Sequence, residues 1–129
     1  MGNESGNFTA GTSFDDVLRL YRALLRETGG ESGFLSEGTL RYILHSLNSV
    51  RGDVFSKAAF VIHEIATKHP MINGNKRLAF ALGALVLRKG GYVLSLESSE
   101  AVTLMLRVAR EEVPKRDLEA WLRNKCKKI

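Results

Sequence analysis

Apolar residues recur every three to four positions along most of the chain, and short runs rich in Gly, Ser and Asn interrupt them. Val17, Leu18, Leu20, Tyr21, Leu24 and Leu25 keep that spacing, the mark of a helix with one buried face. Ser13, with Asp16 three residues later, starts this helix, and Gly29-Gly30 ends it. Ser36 caps a second helix with Leu40, Ile43, Leu44 and Leu47 on one side. The stretch from Asn48 to Asp53 has turn chemistry. A third helix is expected from about Val54 to Thr67, with Phe55, Ala58, Ala59, Ile62 and Ile65 facing inward.

Pro70 disfavours right-handed helical geometry at His69, so residues 69–74 form a loop. A fourth helix starts at Gly74 or Asn75 and ends at Gly90-Gly91. Leu78, Ala81, Leu82, Leu85 and Val86 continue it, and Ala79, Phe80, Ala84 and Leu87 make it apolar around most of its circumference. Such a helix belongs at the buried centre. Tyr92-Val93-Leu94 reads as a short extended piece. Ser98 or Ser99 caps a fifth helix, reaching about Glu112 and built on Val102, Met105, Leu106 and Ala109. Pro114 opens a sixth, ending near Lys125, with Leu118, Trp121 and Leu122 on its buried side. Six helices and almost no strand give an all-α fold: a compact bundle around a central buried helix.

Length adds that 129 residues form a single domain, drawn here as 13–129 behind a loose tail, 1–12. The tail lacks the basic and apolar blocks of a secretory signal, and no 18-residue apolar run marks a transmembrane helix. One cysteine, Cys126, cannot bridge within the chain and reads as part of a frayed helix end. These features suit a reducing, cytoplasmic setting and no membrane partner. Charge changes the picture little. The net +5 gathers at Lys115, Arg116, Arg123, Lys125, Lys127 and Lys128. No aromatic residues interleave with these cations to stack on bases, so the run reads as a solvated face and nucleic acid is not an expected partner.

The chemistry concentrates in His69-Pro70-Met71-Ile72-Asn73-Gly74-Asn75-Lys76-Arg77. The first turn of a helix exposes unpaired N–H groups and partial positive charge. Gly74 permits close approach of a ligand to the backbone, and Lys76 and Arg77 add two full charges. Cations here oppose the macrodipole, so stability alone does not explain them; a bound anion such as phosphate does. Asn75 either hydrogen-bonds that phosphate or caps the helix. Asn73 offers an amide oxygen to Mg²⁺ on a nucleotide. Met71 and Ile72 plug the loop into the core. The imidazole of His69 is a base able to accept a proton from an incoming hydroxyl. The inferred reaction moves a phosphate-containing group onto a hydroxyl. Walker, HExxH and GxSxG motifs are all absent from the sequence.

This nine-residue stretch resembles the signature of the Fic/Doc family, whose Fic form is roughly H-x-F-x-[D/E]-G-N-G-R. The Doc, or death-on-curing, form ends in N-K-R, so Lys76 points to that branch. Helix order, the Arg88–Tyr92 turn and the chain length are similar over about residues 14–125. The resemblance implies that His69 is the general base, that position 73 holds Mg²⁺, and that Gly74, Asn75, Lys76 and Arg77 hold phosphates. It implies a toxin that phosphorylates a hydroxyl of a translation factor, elongation factor Tu being the known Doc target, with ATP as co-substrate. It also implies a Phd-like antitoxin partner. Fic-type AMP transfer and a nucleotide- or partner-binding module with weakened catalysis are the alternatives. Asn73 stands where the family has an acid, and Met71 where it has Phe. Family enzymes dock their targets on a flap before the motif. The best match is Ser46, Leu47, Asn48, Ser49, Val50, Arg51, Gly52 and Asp53, which reads equally as a plain connection.

Overall fold

The computed structural model describes residues 12–129. The tail drawn at 1–12 therefore lies outside the described residues, apart from Thr12, which is buried. Among the described residues six helices run in order: α1 (Phe14–Thr28), α2 (Glu37–Leu47), α3 (Val54–Lys68), α4 (Asn75–Lys89), α5 (Ser98–Ala109) and α6 (Lys115–Lys125). Two short strands, β1 (Tyr92–Leu94) and β2 (Cys126–Lys128), pair antiparallel, with Tyr92 opposite Lys128 and Leu94 opposite Cys126. The all-α expectation holds.

Side-chain caps fix where three helices begin. Ser13 Oγ accepts from the Asp16 N–H at 3.2 Å, and Ser36 Oγ from the Thr39 N–H at 3.1 Å. Asp53 Oδ1 accepts from Phe55 and Ser56, at 3.0 and 3.2 Å. Each satisfies amides that the first helical turn leaves unpaired. The core is built where the faces of α2, α3 and α4 meet: Leu40, Ile43, Ile62, Ile65, Leu78 and Leu82 are all fully enclosed. Gly83 sets how closely α3 and α4 approach, because a Cβ there would overlap the Ile62 side chain.

Several expectations need correction. The fourth helix is central, but it is not buried all round: Phe80, Ala81, Ala84 and Leu85 are only half-buried and face open clefts. The fifth helix turns a different face inward. Leu104, Met105 and Val108 are buried, while Val102 and Leu106 are 60% and 40% exposed. It also stops at Ala109, since the chain reverses through Glu111 at φ 60. Its N-cap is Glu97, whose N–H donates to the Glu100 carboxylate at 3.0 Å. Trp121 is half-buried. Finally, Cys126 lies in β2 rather than in a frayed helix end, and burial pushes its thiol pKa up. Raised pKa disfavours the reactive thiolate.

Beneath α6 lies a buried carboxylate. Glu64, on α3, is 7% exposed and meets Lys115 Nζ at 2.8 Å and Lys68 Nζ at 3.4 Å. His63 Nδ1 lies 3.9 Å from the same carboxylate and has no hydrogen-bond partner. This cluster ties the end of α3 to the start of α6.

Candidate active site

The loop between α3 and α4 is held open by its backbone. His69 caps α3 in the left-handed region, at φ 49 and ψ 61, with its N–H on Ile65 O at 3.1 Å. Its side chain is exposed. With Pro70 next in sequence, the right-handed region is disfavoured, and the left-handed turn leads the chain out of the helix. Met71 is fully buried, as the plug reading expects. Gly74, at φ 85, is the N-cap of α4. A Cβ there would come within 3.2 Å of Leu25 and 3.3 Å of Tyr21, so glycine is needed for conformation and for space.

Asn75 uses its side chain as a brace. Its Oδ1 accepts from the Met71 N–H and its Nδ2 donates to Met71 O, both at 2.9 Å. The amide thus locks the loop internally, with one Nδ2 hydrogen left over. Asn73 is similarly engaged. Its Oδ1 accepts from the Glu31 N–H and its backbone oxygen accepts from the Tyr21 hydroxyl, both at 2.8 Å.

The loop has a second wall that sequence reading missed. Residues 33–36 run antiparallel to 70–72: the Ile72 N–H donates to Gly33 O at 2.9 Å, and the Leu35 and Ser36 N–H groups donate to Pro70 O at 2.8 and 3.0 Å. Gly33, at φ 136, allows this approach, because a Cβ there would sit 2.9 Å from Ile72 Cδ1. The signal was present in the glycines of 29–33, which the periodicity used only as a helix stop.

Gly74, Asn75, Lys76 and Arg77 share one rim of a cleft of about 530 Å³. Leu24, Phe80, Ala81, Ala101, Val102, Met105 and Leu106 complete its lining. Lys76 and Arg77 are exposed, and neither meets a carboxylate among the described residues. No acid occupies the first turn of α4. The result is a positive rim, with helix amides behind it, opening on an apolar wall that suits a molecule with an anionic end and a flat apolar body. His69 does not line this cleft; the six-residue loop 69–74 connects it to the rim.

The flap candidates fall on three different elements. Ser46 and Leu47 close α2, with Leu47 buried; Asn48 to Gly52 make the connection; Asp53 caps α3 and pairs with Arg123 at 2.8 Å.

The model of the Fic/DOC family matches residues 11–87, which include the whole of the His69–Arg77 loop and both walls that hold it. The chain belongs to the Fic/DOC family. Fic/DOC proteins typically transfer nucleotidyl or phosphoryl groups to proteins. No curated protein is similar enough to the chain to be matched with it. No helix among the described residues is long and apolar enough to cross a membrane.

Fic/DOC chemistry brings Mg²⁺ into question. Among the described residues no three His, Cys, Asp or Glu side chains gather as a metal site. Asn73 offers a neutral oxygen that already accepts a hydrogen bond. Mg²⁺ prefers one or two carboxylates together with substrate phosphates. The loop residues do not fit a protein-held Mg²⁺.

Proposed function

We propose that this Fic/DOC protein is a Doc-like toxin that moves the γ-phosphoryl group of ATP to a hydroxyl side chain of a target protein. One observation carries the reading: an exposed histidine, and a Lys76-Arg77 rim that meets no carboxylate among the described residues, stand at the two ends of one internally hydrogen-bonded loop. The target hydroxyl gives its proton to His69 and forms a bond to the γ-phosphorus. The bond from that phosphorus to the bridging oxygen breaks, and ADP leaves. Lys76, Arg77 and the α4 amides offset charge on the phosphate oxygens. This division of labour suits phosphoryl transfer, which needs positioning and charge neutralisation more than covalent help. Lys76, where Fic-type signatures carry Gly, supports phosphoryl over AMP transfer.

A translation factor such as elongation factor Tu is the proposed target, and a Phd-like antitoxin the proposed partner. The half-buried side of α4 supports the latter. With Val102 and Leu106 exposed at the cleft rim, it leaves apolar surface of the kind a partner helix covers. The cytoplasm is the proposed setting.

The deciding experiment supplies ATP labelled at the α- or the γ-phosphate to purified protein and elongation factor Tu. Label from the γ-position on the target supports phosphorylation, and its loss in His69→Ala supports the base. Label from the α-position replaces the reading with AMP transfer. No label from either, with ATP bound, leaves a binding module.

A further inference from the structure

Resting on the transfer reading, we infer that Asn73 is a positioning residue for the anion-binding turn and not a ligand for metal. Its two oxygens are committed in different directions. The backbone oxygen takes the hydroxyl of Tyr21, a side chain on α1 that is only 3% exposed, at 2.8 Å. The side-chain oxygen takes the Glu31 N–H, on the α1–α2 connection, at 2.8 Å. Gly30 lies close enough that a Cβ there would sit 3.3 Å from Asn73 Cβ. The residue is therefore clamped from α1 and from the connection after it. The next residue is Gly74, the N-cap whose carbonyl accepts the Leu78 N–H at 2.8 Å.

An asparagine suits this task for a chemical reason. The amide oxygen accepts from a backbone N–H without adding a negative charge beside an anion site. A carboxylate would hold the same bond but repel the phosphates that Lys76 and Arg77 attract. A metal on the second lone pair of Oδ1 would compete with the Glu31 bond for electron density and gain only a neutral ligand. Positive charge at this rim comes from two side chains and the helix amides.

Tyr21 makes the inference testable, because its hydroxyl touches Asn73 only through the main chain and faces no metal position. Amide hydrogen exchange is measured on the nucleotide-free protein at Leu35, Ile72 and Leu78, whose N–H groups are bonded to the loop or its wall. ATP affinity is measured by calorimetry in Mg²⁺ and in EDTA. Tyr21→Phe and Asn73→Ala are expected to speed exchange at these amides by about three- to ten-fold, the worth of one hydrogen bond. They are expected to weaken ATP by a similar factor in both buffers. Asn73→Asp, which keeps the acceptor for Glu31, is expected to retain wild-type exchange. A purely global loss of stability would lower the unfolding temperature while leaving ATP affinity untouched, and that result overturns the inference. So does an Asn73→Ala protein that loses affinity only in Mg²⁺, or a Tyr21→Phe protein with unchanged exchange. Faster exchange in both variants with no ATP binding by the wild type keeps the clamp and ends the transfer reading. Affinity that depends on Mg²⁺ and loses that dependence in Asn73→Ala keeps the transfer reading and ends the clamp.

Discussion

Glu64 Oε2 lies 2.8 Å from Lys115 Nζ, joining the middle layer of the bundle to the first residue of α6. A buried carboxylate left without its cation is costly, whereas a paired one is near neutral. Lys115→Ala is therefore expected to destabilise the fold by about 1–3 kcal/mol, since Lys68 compensates only in part. Lys115→Ala with Glu64→Gln should recover much of that loss. Urea unfolding of the four proteins in a double-mutant cycle measures it; strictly additive effects would remove the pairing from the account.

The same cluster sets a response to acid. Burial works to raise the Glu64 pKa, but the hydrogen bonds and charges of Lys115 and Lys68 outweigh it and hold the group below its ordinary 4.5. Burial first, then the Lys115 charge, lower His63 below its ordinary 6.5, against opposing pulls from Glu64 and Glu111. Both folded values lie beneath the unfolded ones, so on acidification the unfolded chain binds protons first. Stability should be full above pH 6.5, fall as pH drops through the histidine window below that value, and fall again below 4.5. His63→Gln should flatten the first decline and Glu64→Gln should shrink the second. A urea midpoint constant from pH 7 to 5 in the wild type would contradict the histidine assignment.

Gly83→Ala tests the closest approach of α3 and α4. Helix propensity favours alanine by about 1 kcal/mol, yet the new Cβ would overlap the enclosed Ile62. Overpacking of that kind costs about 1–3 kcal/mol, so net destabilisation is expected in thermal unfolding. Ile62→Val in the same chain should relieve part of it. A Gly83→Ala protein that melts higher than wild type would show that the helices can separate freely.

Gly74→Ala separates conformation from charge at the site. The substitution forces an L-residue to φ 85 and presses a methyl on Leu25 and Tyr21. A loss of about 1–2 kcal/mol in stability is expected. ATP affinity, read by calorimetry, should drop about ten-fold or more, the worth of one hydrogen bond to a charged phosphate. Undiminished affinity would mean that the α4 amides do not meet the nucleotide.

Asp53→Ala removes a cap and an ion pair together. Loss of the Phe55 and Ser56 hydrogen bonds should cost about 1 kcal/mol. The pair with Arg123 is exposed and adds little. Asp53→Asn should thus keep most of the stability, as urea midpoints in low and high salt would show. A loss as large as that of alanine would move the weight from the cap to the charge.

The sequence is legible where physics is local. Ser13 and Ser36 announce their helices by side-chain chemistry within three residues, and Leu40, Ile43, Leu44 and Leu47 lie on one face because helical spacing puts them there. His69 and Gly74 stand where Pro70 and the glycine require. Long-range partners were hidden. Cys126-Lys127-Lys128 has no strand pattern of its own and becomes β2 only by pairing with Tyr92–Leu94. The hydrogen bonds of Asn73 to Glu31 and of Asn75 to Met71 cannot be seen in the sequence, because the folded loop brings those partners together. Periodicity puts Val102 and Leu106 on an apolar stripe without saying whether a neighbour covers it, and none among the described residues does.

The antiparallel run of Gly33–Ser36 along Pro70–Ile72 makes the Fic/DOC signature loop a composite of two separated stretches. Transplanting the nine signature residues into another scaffold would carry over the side chains and leave behind their splint. Any redesign that widens position 33 must narrow position 72, so the two stretches have to be recoded as one unit.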